Sequence, residues 1–256
     1  LSIPSIVRAL PDSADPLVEN ILSTRMNPDE ENAAIENYYD QMLASGGNGA
    51  RPWEMHLSAP DARSGLDAAC IKRNDMVARE LIPSRTTQIK SWSLTSNSYG
   101  MRDREYALIK PANTIRIAVL GGSYEMGSGV QQENMFSEIL ERMYADSFPG
   151  RKIEVLNFAV GGYHLAQQVW VMQHKAAQFS PDLVLCFVHP ADASRNTDYL
   201  ANLVRFGSDM IYPELYSLRN RAGAAQRMSA AELKNRFEPF QHELNSWCFQ
   251  TISAEC

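Results

Sequence analysis

The sequence predicts an α/β fold, a three-layer αβα arrangement in which a mostly parallel sheet is covered by helices on both faces. Three near-continuous apolar runs carry the prediction: Ile115–Leu120, Ile153–Phe158 and Leu183–Val188. Segments with apolar residues at helical spacing lie between them, and strands that read apolar throughout are strands buried on both sides. The composition agrees, with 45% hydrophobic and 21% charged residues over 256 positions, which is globular rather than disordered.

The first fifty residues stand apart. They hold eight acids (Asp12, Asp15, Glu19, Asp29, Glu30, Glu31, Glu36, Asp40) and two bases (Arg8, Arg25), which equals the whole net charge of −6. Asp15-Pro16 and Asn27-Pro28 each place a capping side chain before a proline at a first helical position. Ile35, Tyr38, Tyr39 and Met42 then recur at helical spacing before Ser45–Gly49 breaks the pattern. Residues 1–50 are thus predicted to be an acidic helical arm, packed on the main domain or docking a protein partner. Residues 51–110 are an irregular lead-in with a strand near 91–95 and a turn at Asn97–Gly100.

Residues 111–256 form the predicted α/β domain. After Ile115–Leu120, a helix carries Met135, Phe136, Ile139, Leu140 and Met143 on one face. After Ile153–Phe158, another carries Leu165, Val169, Met172 and Ala176. Residues 229–254 read as one amphipathic helix with Leu233, Phe237, Leu244, Cys248 and Ile252 along one side. Such a helix is expected to feed a further parallel strand, so the C-terminal part of the domain is read as missing or supplied by another polypeptide. With three strands only, an edge and its covering helix are expected to lack support. The chain starts at Leu1, read as a removed leader or a trimmed N-terminus.

Several classes fall away. The acidic balance argues against general nucleic-acid binding, and no apolar run approaches the roughly 20 residues of a membrane span. Cys70, Cys186, Cys248 and Cys256 form no CxxC pair, so a cysteine zinc site is not expected. Cys186, inside an apolar run, reads as a small buried residue.

In parallel sheets ligands sit beyond the carboxyl ends of the strands. After the first strand comes Gly121-Gly122-Ser123-Tyr124-Glu125-Met126-Gly127-Ser128-Gly129. A phosphate loop is excluded because Ser128 stands where the lysine must be, and no GxGxxG is present. A serine in a sharp glycine-flanked turn remains, the geometry of a nucleophile or of a plain structural turn. After the second strand, Gly161-Gly162 offers an unobstructed backbone N–H to an oxyanion, or closes a turn. His164 and His189 each follow a strand end and are local candidates for a base, against the plainer reading of solvated rim residues.

Together these blocks resemble the SGNH (GDSL-type) hydrolases over roughly residues 97–200. Ile117–Ser123 is similar to the first block of that family, although Gly122 replaces its usual aspartate. Asn157–Gly162 is similar to the second, and Asn97–Arg102 to an element found upstream in some bacterial branches. The resemblance implies a flavodoxin-like sheet, Ser123 as nucleophile and Gly162 as an oxyanion-hole N–H. It implies a serine esterase, other acyl hydrolase or O-acyltransferase acting on an ester, an O-acyl carbohydrate or lipid-like molecule, with no metal or organic cofactor. It tilts localisation toward the bacterial periplasm or secretion.

Two departures weigh against catalysis. The third block supplies an asparagine donor in the family, whereas Pro190-Ala191-Asp192 stands here, and Ala191 cannot donate. Asp192 keeps the block's aspartate and is expected to cap the next helix. None of the five histidines has an aspartate three residues before it, so the family's DxxH base is absent from this sequence. The second expectation is therefore a catalytically inactive SGNH-like subunit that binds or scaffolds in a larger assembly.

Overall fold

The computed structural model describes residues 65–89, 92–147, 150–188 and 190–255, leaving aside the side chains of 146, 147 and 190–195. The expected arm, with its Ile35–Met42 face, and residue His189 lie outside the described residues. The described residues fall within one compact unit.

The core is a three-stranded parallel sheet of β5 (Thr114–Leu120), β6 (Lys152–Asn157) and β7 (Leu183–Cys186), in the order β6-β5-β7. All seven residues of β5 are buried, as a central strand covered on both faces requires. Burial of Ile115, Ile117, Val119 and Leu120 contributes about 1.5–3 kcal/mol each. The same strand carries Arg116, fully buried opposite Glu154 of β6, with Nε donating to the carboxylate at 2.8 Å. Its remaining donors reach the carbonyls of Ala107, Leu108 and Phe179. This cross-strand pair lies at the amino end of the sheet, away from the strand ends that carry the candidate site.

Helices α1 (Phe136–Ser147), α2 (Leu165–His174), α3 (Pro190–Phe206), α4 (Pro213–Arg221), α5 (Ala230–Phe237) and α6 (Gln241–Ala254) flank the sheet. The chain passes from β5 outward to β6, then back across β5 to β7. Right-handed crossovers therefore put α1 and α2 on opposite faces. The fold is the expected mixed α/β type, a flavodoxin-like parallel sheet flanked by helices.

The lead-in is more regular than the sequence suggests. Residues 65–110 hold two antiparallel hairpins: β1 (Cys70–Lys72) with β2 (Arg79–Leu81), and β3 (Thr86–Ile89) with β4 (Trp92–Thr95). Strand β4 is the one expected near 91–95.

Three details differ from expectation. On α1, Ile139 and Met143 are exposed; Ser137 and Tyr144 are buried instead, with Glu141 between them. That stripe serves the edge strand β6: Glu141 Oε2 accepts the Val155 N–H at 2.9 Å, and Ser137 Oγ lies 3.3 Å from Asn157 Nδ2. Edge-strand amides need such partners, so helix polarity here follows hydrogen bonding rather than apolar burial. The segment 229–254 is two helices, α5 and α6, separated by a 3-10 turn at Glu238–Phe240 that contains Pro239. Its apolar side is not left unsupported: Leu233, Phe237, Leu244, Cys248 and Ile252 are all buried within this chain, where α5 packs on α3, and α6 on α2 and α3. Cys186 is only half-buried, its thiol 3.1 Å from Gln168 Oε1.

Candidate active site

Parallel pairing brings the three strand ends level. Val119 lies opposite Asn157, and Leu120 opposite Cys186. The ladders run one residue further, Phe158 N donating to Val119 O and Phe187 N to Leu120 O, both at 2.9 Å. The chain leaves β5 through α1 on one face and leaves β7 into α3, which packs on α2 of the other face, so the crevice between β5 and β7 is the topological switch point where such sheets bind ligands. Ser123 stands three residues beyond Leu120, at that point.

The Ser123 loop is wound tightly. Met126 N donates to Gly122 O at 3.0 Å, Gly127 N to Tyr124 O at 2.8 Å, and Ser128 N to Ser123 O at 3.0 Å. Glu125 turns back so that its Oε2 accepts the Gly122 N–H at 2.8 Å. A Cβ at Gly121 would stand 2.5 Å from that carboxylate, so glycine at 121 is what admits it. Gly122, by contrast, has room: the first atom its Cβ would meet is Tyr163 O at 3.6 Å. Ser123 is half-buried and Tyr124 beside it is exposed.

The second strand end is tied to the first by Asn157. Its Nδ2 donates to Glu125 O at 2.6 Å, while its Oδ1 accepts the Ala159 N–H at 3.1 Å. Beyond it, a Cβ at Gly161 would lie 3.7 Å from Ser123 Cβ, 3.4 Å from Met126 Cε and 2.6 Å from Leu66 Cδ2. Gly161 therefore forms the wall against Ser123, and Leu66 of the lead-in closes over the same wall. The Gly161 N–H points to Met126 Sδ at 3.2 Å. Gly162 is exposed with φ +86°, and among the described residues its N–H makes no hydrogen bond. His164, half-buried, precedes α2; its backbone N–H donates to Gln167 Oε1 at 2.8 Å and its ring lies 5.2 Å from that of Tyr199.

The third strand end leads directly into α3. Because that helix starts at Pro190, Ala191 and Asp192 are its second and third residues. The structure thus brings Ser123, Gly122 and the Gly161–Gly162 turn together, with His164 on the rim of that turn.

Position after a strand did not single out Glu125, Asn157, Leu66, Arg102 or Asp103. Asn157 and Arg102 fall inside the compared blocks Asn157–Gly162 and Asn97–Arg102 without a role, and Glu125 stands three residues after the glycine whose N–H it accepts, as in a capping box. Among the described residues, no group of three His, Cys, Asp or Glu is placed to hold a metal, and no helix is long and apolar enough to cross a membrane.

No protein-family model and no curated protein matches the chain. Among solved structures, one titled "Crystal Structure of TesA" is similar to it at 16% identity and a TM-score of 0.29, over 55% of this chain and 99% of that one.

Proposed function

We propose that this chain is an SGNH-type serine acyl hydrolase or O-acyltransferase with Ser123 as its nucleophile. One observation carries the reading: a half-buried serine in a glycine-flanked turn, at the switch point of a parallel sheet, facing the glycine wall of the neighbouring strand end. In the reaction, Ser123 Oγ bonds to the carbonyl carbon of an ester while its proton passes to a base. The carbonyl oxygen becomes an oxyanion, for which the Gly162 N–H and that of Ser123 are the donors. Collapse expels the alcohol, which takes up the proton. Water then releases the acid, or a second alcohol takes the acyl group. His164 and His189 are the candidates for the base in this sequence.

A fluorophosphonate probe incubated with the native protein is expected to label Ser123, and Ser123→Ala to abolish labelling without shifting the thermal midpoint. Labelling that survives the substitution refutes the assignment.

Ala191 supports a second reading. Loss of one oxyanion donor costs about 3 kcal/mol of transition-state stabilisation. A folded native protein that takes no probe is the outcome expected of a non-catalytic binding or scaffolding subunit.

A further inference from the structure

We propose that Arg102 is the positioning residue of the Ser123 loop, setting the nucleophile from beneath through the backbone; its catalytic meaning rests on the reading of Ser123 just given. Arg102 is fully buried. Its guanidinium faces carbonyls: Nη1 donates to Met126 O at 3.0 Å and to Gly127 O, and Nη2 to Val130 O at 2.6 Å and Ser93 O at 3.2 Å. Among the described residues it has no ion pair, and its Nε has no hydrogen-bond partner. One face of the guanidinium lies over the Trp92 ring, 4.6 Å from the centroid.

A cation buried without a carboxylate is costly unless dipoles replace its solvent. Here the dipoles are the peptide groups of the loop after Ser123. The Gly127 carbonyl accepts from Arg102, and the N–H of that same peptide, on Ser128, donates to Ser123 O at 3.0 Å. The neighbouring peptide does likewise: Met126 O accepts from Arg102, and Gly127 N donates to Tyr124 O at 2.8 Å. Each peptide is polarised at one end by the charge and grips the nucleophile segment at the other. Burial brings the Arg102 guanidinium down to about 10, which leaves it cationic at neutral pH.

The lead-in is shaped to deliver this side chain. Asn97 Oδ1 accepts from the N–H groups of Tyr99 and Met101, both at 3.0 Å, and Gly100 takes φ +71°. This turn sends Arg102 under the loop. Lysine carries the charge but not the fork that spans carbonyls at 126, 127 and 130.

The test compares Arg102→Lys with Arg116→Lys, a change at an equally buried arginine at the other end of β5. Two readouts are taken well below each thermal midpoint: the rate of fluorophosphonate labelling, and amide hydrogen exchange of residues 123–131. Arg102→Lys is expected to slow labelling at least ten-fold and to speed exchange at Gly127 and Ser128 at least ten-fold, with exchange in β5 and α2 unchanged. Arg116→Lys is expected to change neither readout in the loop. Should Arg102→Lys not fold, Trp92→Leu, which keeps an apolar side chain in the core but removes the ring stacked on the guanidinium, is expected to act in the same direction by about three-fold. Unchanged exchange at Gly127 and Ser128 overturns the positioning role, as does equal slowing by Arg116→Lys. If the native protein takes no label, the nucleophile reading falls instead, and loop exchange alone decides whether Arg102 holds the loop.

Discussion

Gly127 and Gly122 share one loop but obey different constraints. Gly127 runs at φ +77°, and a Cβ there would stand 2.7 Å from Met135 Cγ and 3.1 Å from Arg102 Nη1. Gly127→Ala is expected to destabilise the fold by about 1–3 kcal/mol, from backbone strain and displacement of the guanidinium. Gly122 has no positive φ and no atom within 3.6 Å of the new methyl, so Gly122→Ala is expected to stay within about 0.5 kcal/mol. Urea denaturation of the two variants checks the contrast; equal losses refute it. Sequence reading found both glycines and Ser123 because strand ends are visible as the ends of apolar runs. It could not tell the required glycine from the permitted one, because that depends on Met135 and Arg102 arriving from elsewhere in the chain.

Among the elements, α1 and the α5–α6 pair show where periodicity informs and where it misleads. Residues 229–254 keep their apolar spacing across Pro239, so the pattern reads as one helix although the backbone restarts there. The start of α5 was legible in principle, since Ser229 and Glu232 form a reciprocal capping box, with Ser229 N to Glu232 Oε2 at 2.8 Å and Glu232 N to Ser229 Oγ at 3.3 Å. The buried face was read correctly. On α1 the same rule fails at Ile139 and Met143, because the helix is tied to β6 through Ser137 and Glu141. These two readings separate experimentally. Phe237→Ala removes a fully buried ring and is expected to cost about 3–5 kcal/mol. Met143→Ala removes a side chain that is 61% exposed and is expected to cost less than about 0.5 kcal/mol. A large loss at Met143 in chemical denaturation means that α1 buries the face the periodicity first suggested.

Over the whole molecule, the lead-in is joined to the sheet by buried polar groups. Tyr163 donates its hydroxyl to Arg79 O at 2.6 Å, Gln167 reaches Val77 O at 2.8 Å, and Arg116 reaches the carbonyls of Ala107 and Leu108. Such contacts have no period along the chain, which is why the described lead-in, residues 65–110, is less legible than the sheet. Asp103 is the most exacting of these joints. Its Oδ2 accepts the Asn157 N–H at 2.8 Å; its Oδ1 accepts the Arg104 N–H at 2.8 Å and lies 3.0 Å from the Tyr106 hydroxyl. Burial pushes its carboxyl up to about 7 against the pull of those donors, with Glu138 adding repulsion. The protonated form is well housed, since Asp103 can donate to Tyr106 while Tyr106 donates to Val155 O at 3.1 Å. The folded state therefore binds this proton more tightly than the unfolded chain, whose aspartate titrates near ~4. Stability from this group is fully present below pH ~4, falls as pH rises to about 7, and is flat above that. Glu80 and Glu154 run the opposite way: burial opposes their ionisation, but Lys175 with Arg73, and Lys152 with Arg116, hold them low, so their contribution is lost only in acid. Between pH 5 and 8 the Asp103 slope should thus stand clear of theirs. Asp103→Asn, which cannot titrate, is expected to be less stable than the native protein at pH 5, with the gap narrowing steadily by pH 8. Thermal midpoints of both proteins across that range measure it, and a gap that stays constant or widens with pH shows that Asp103 is ionised throughout.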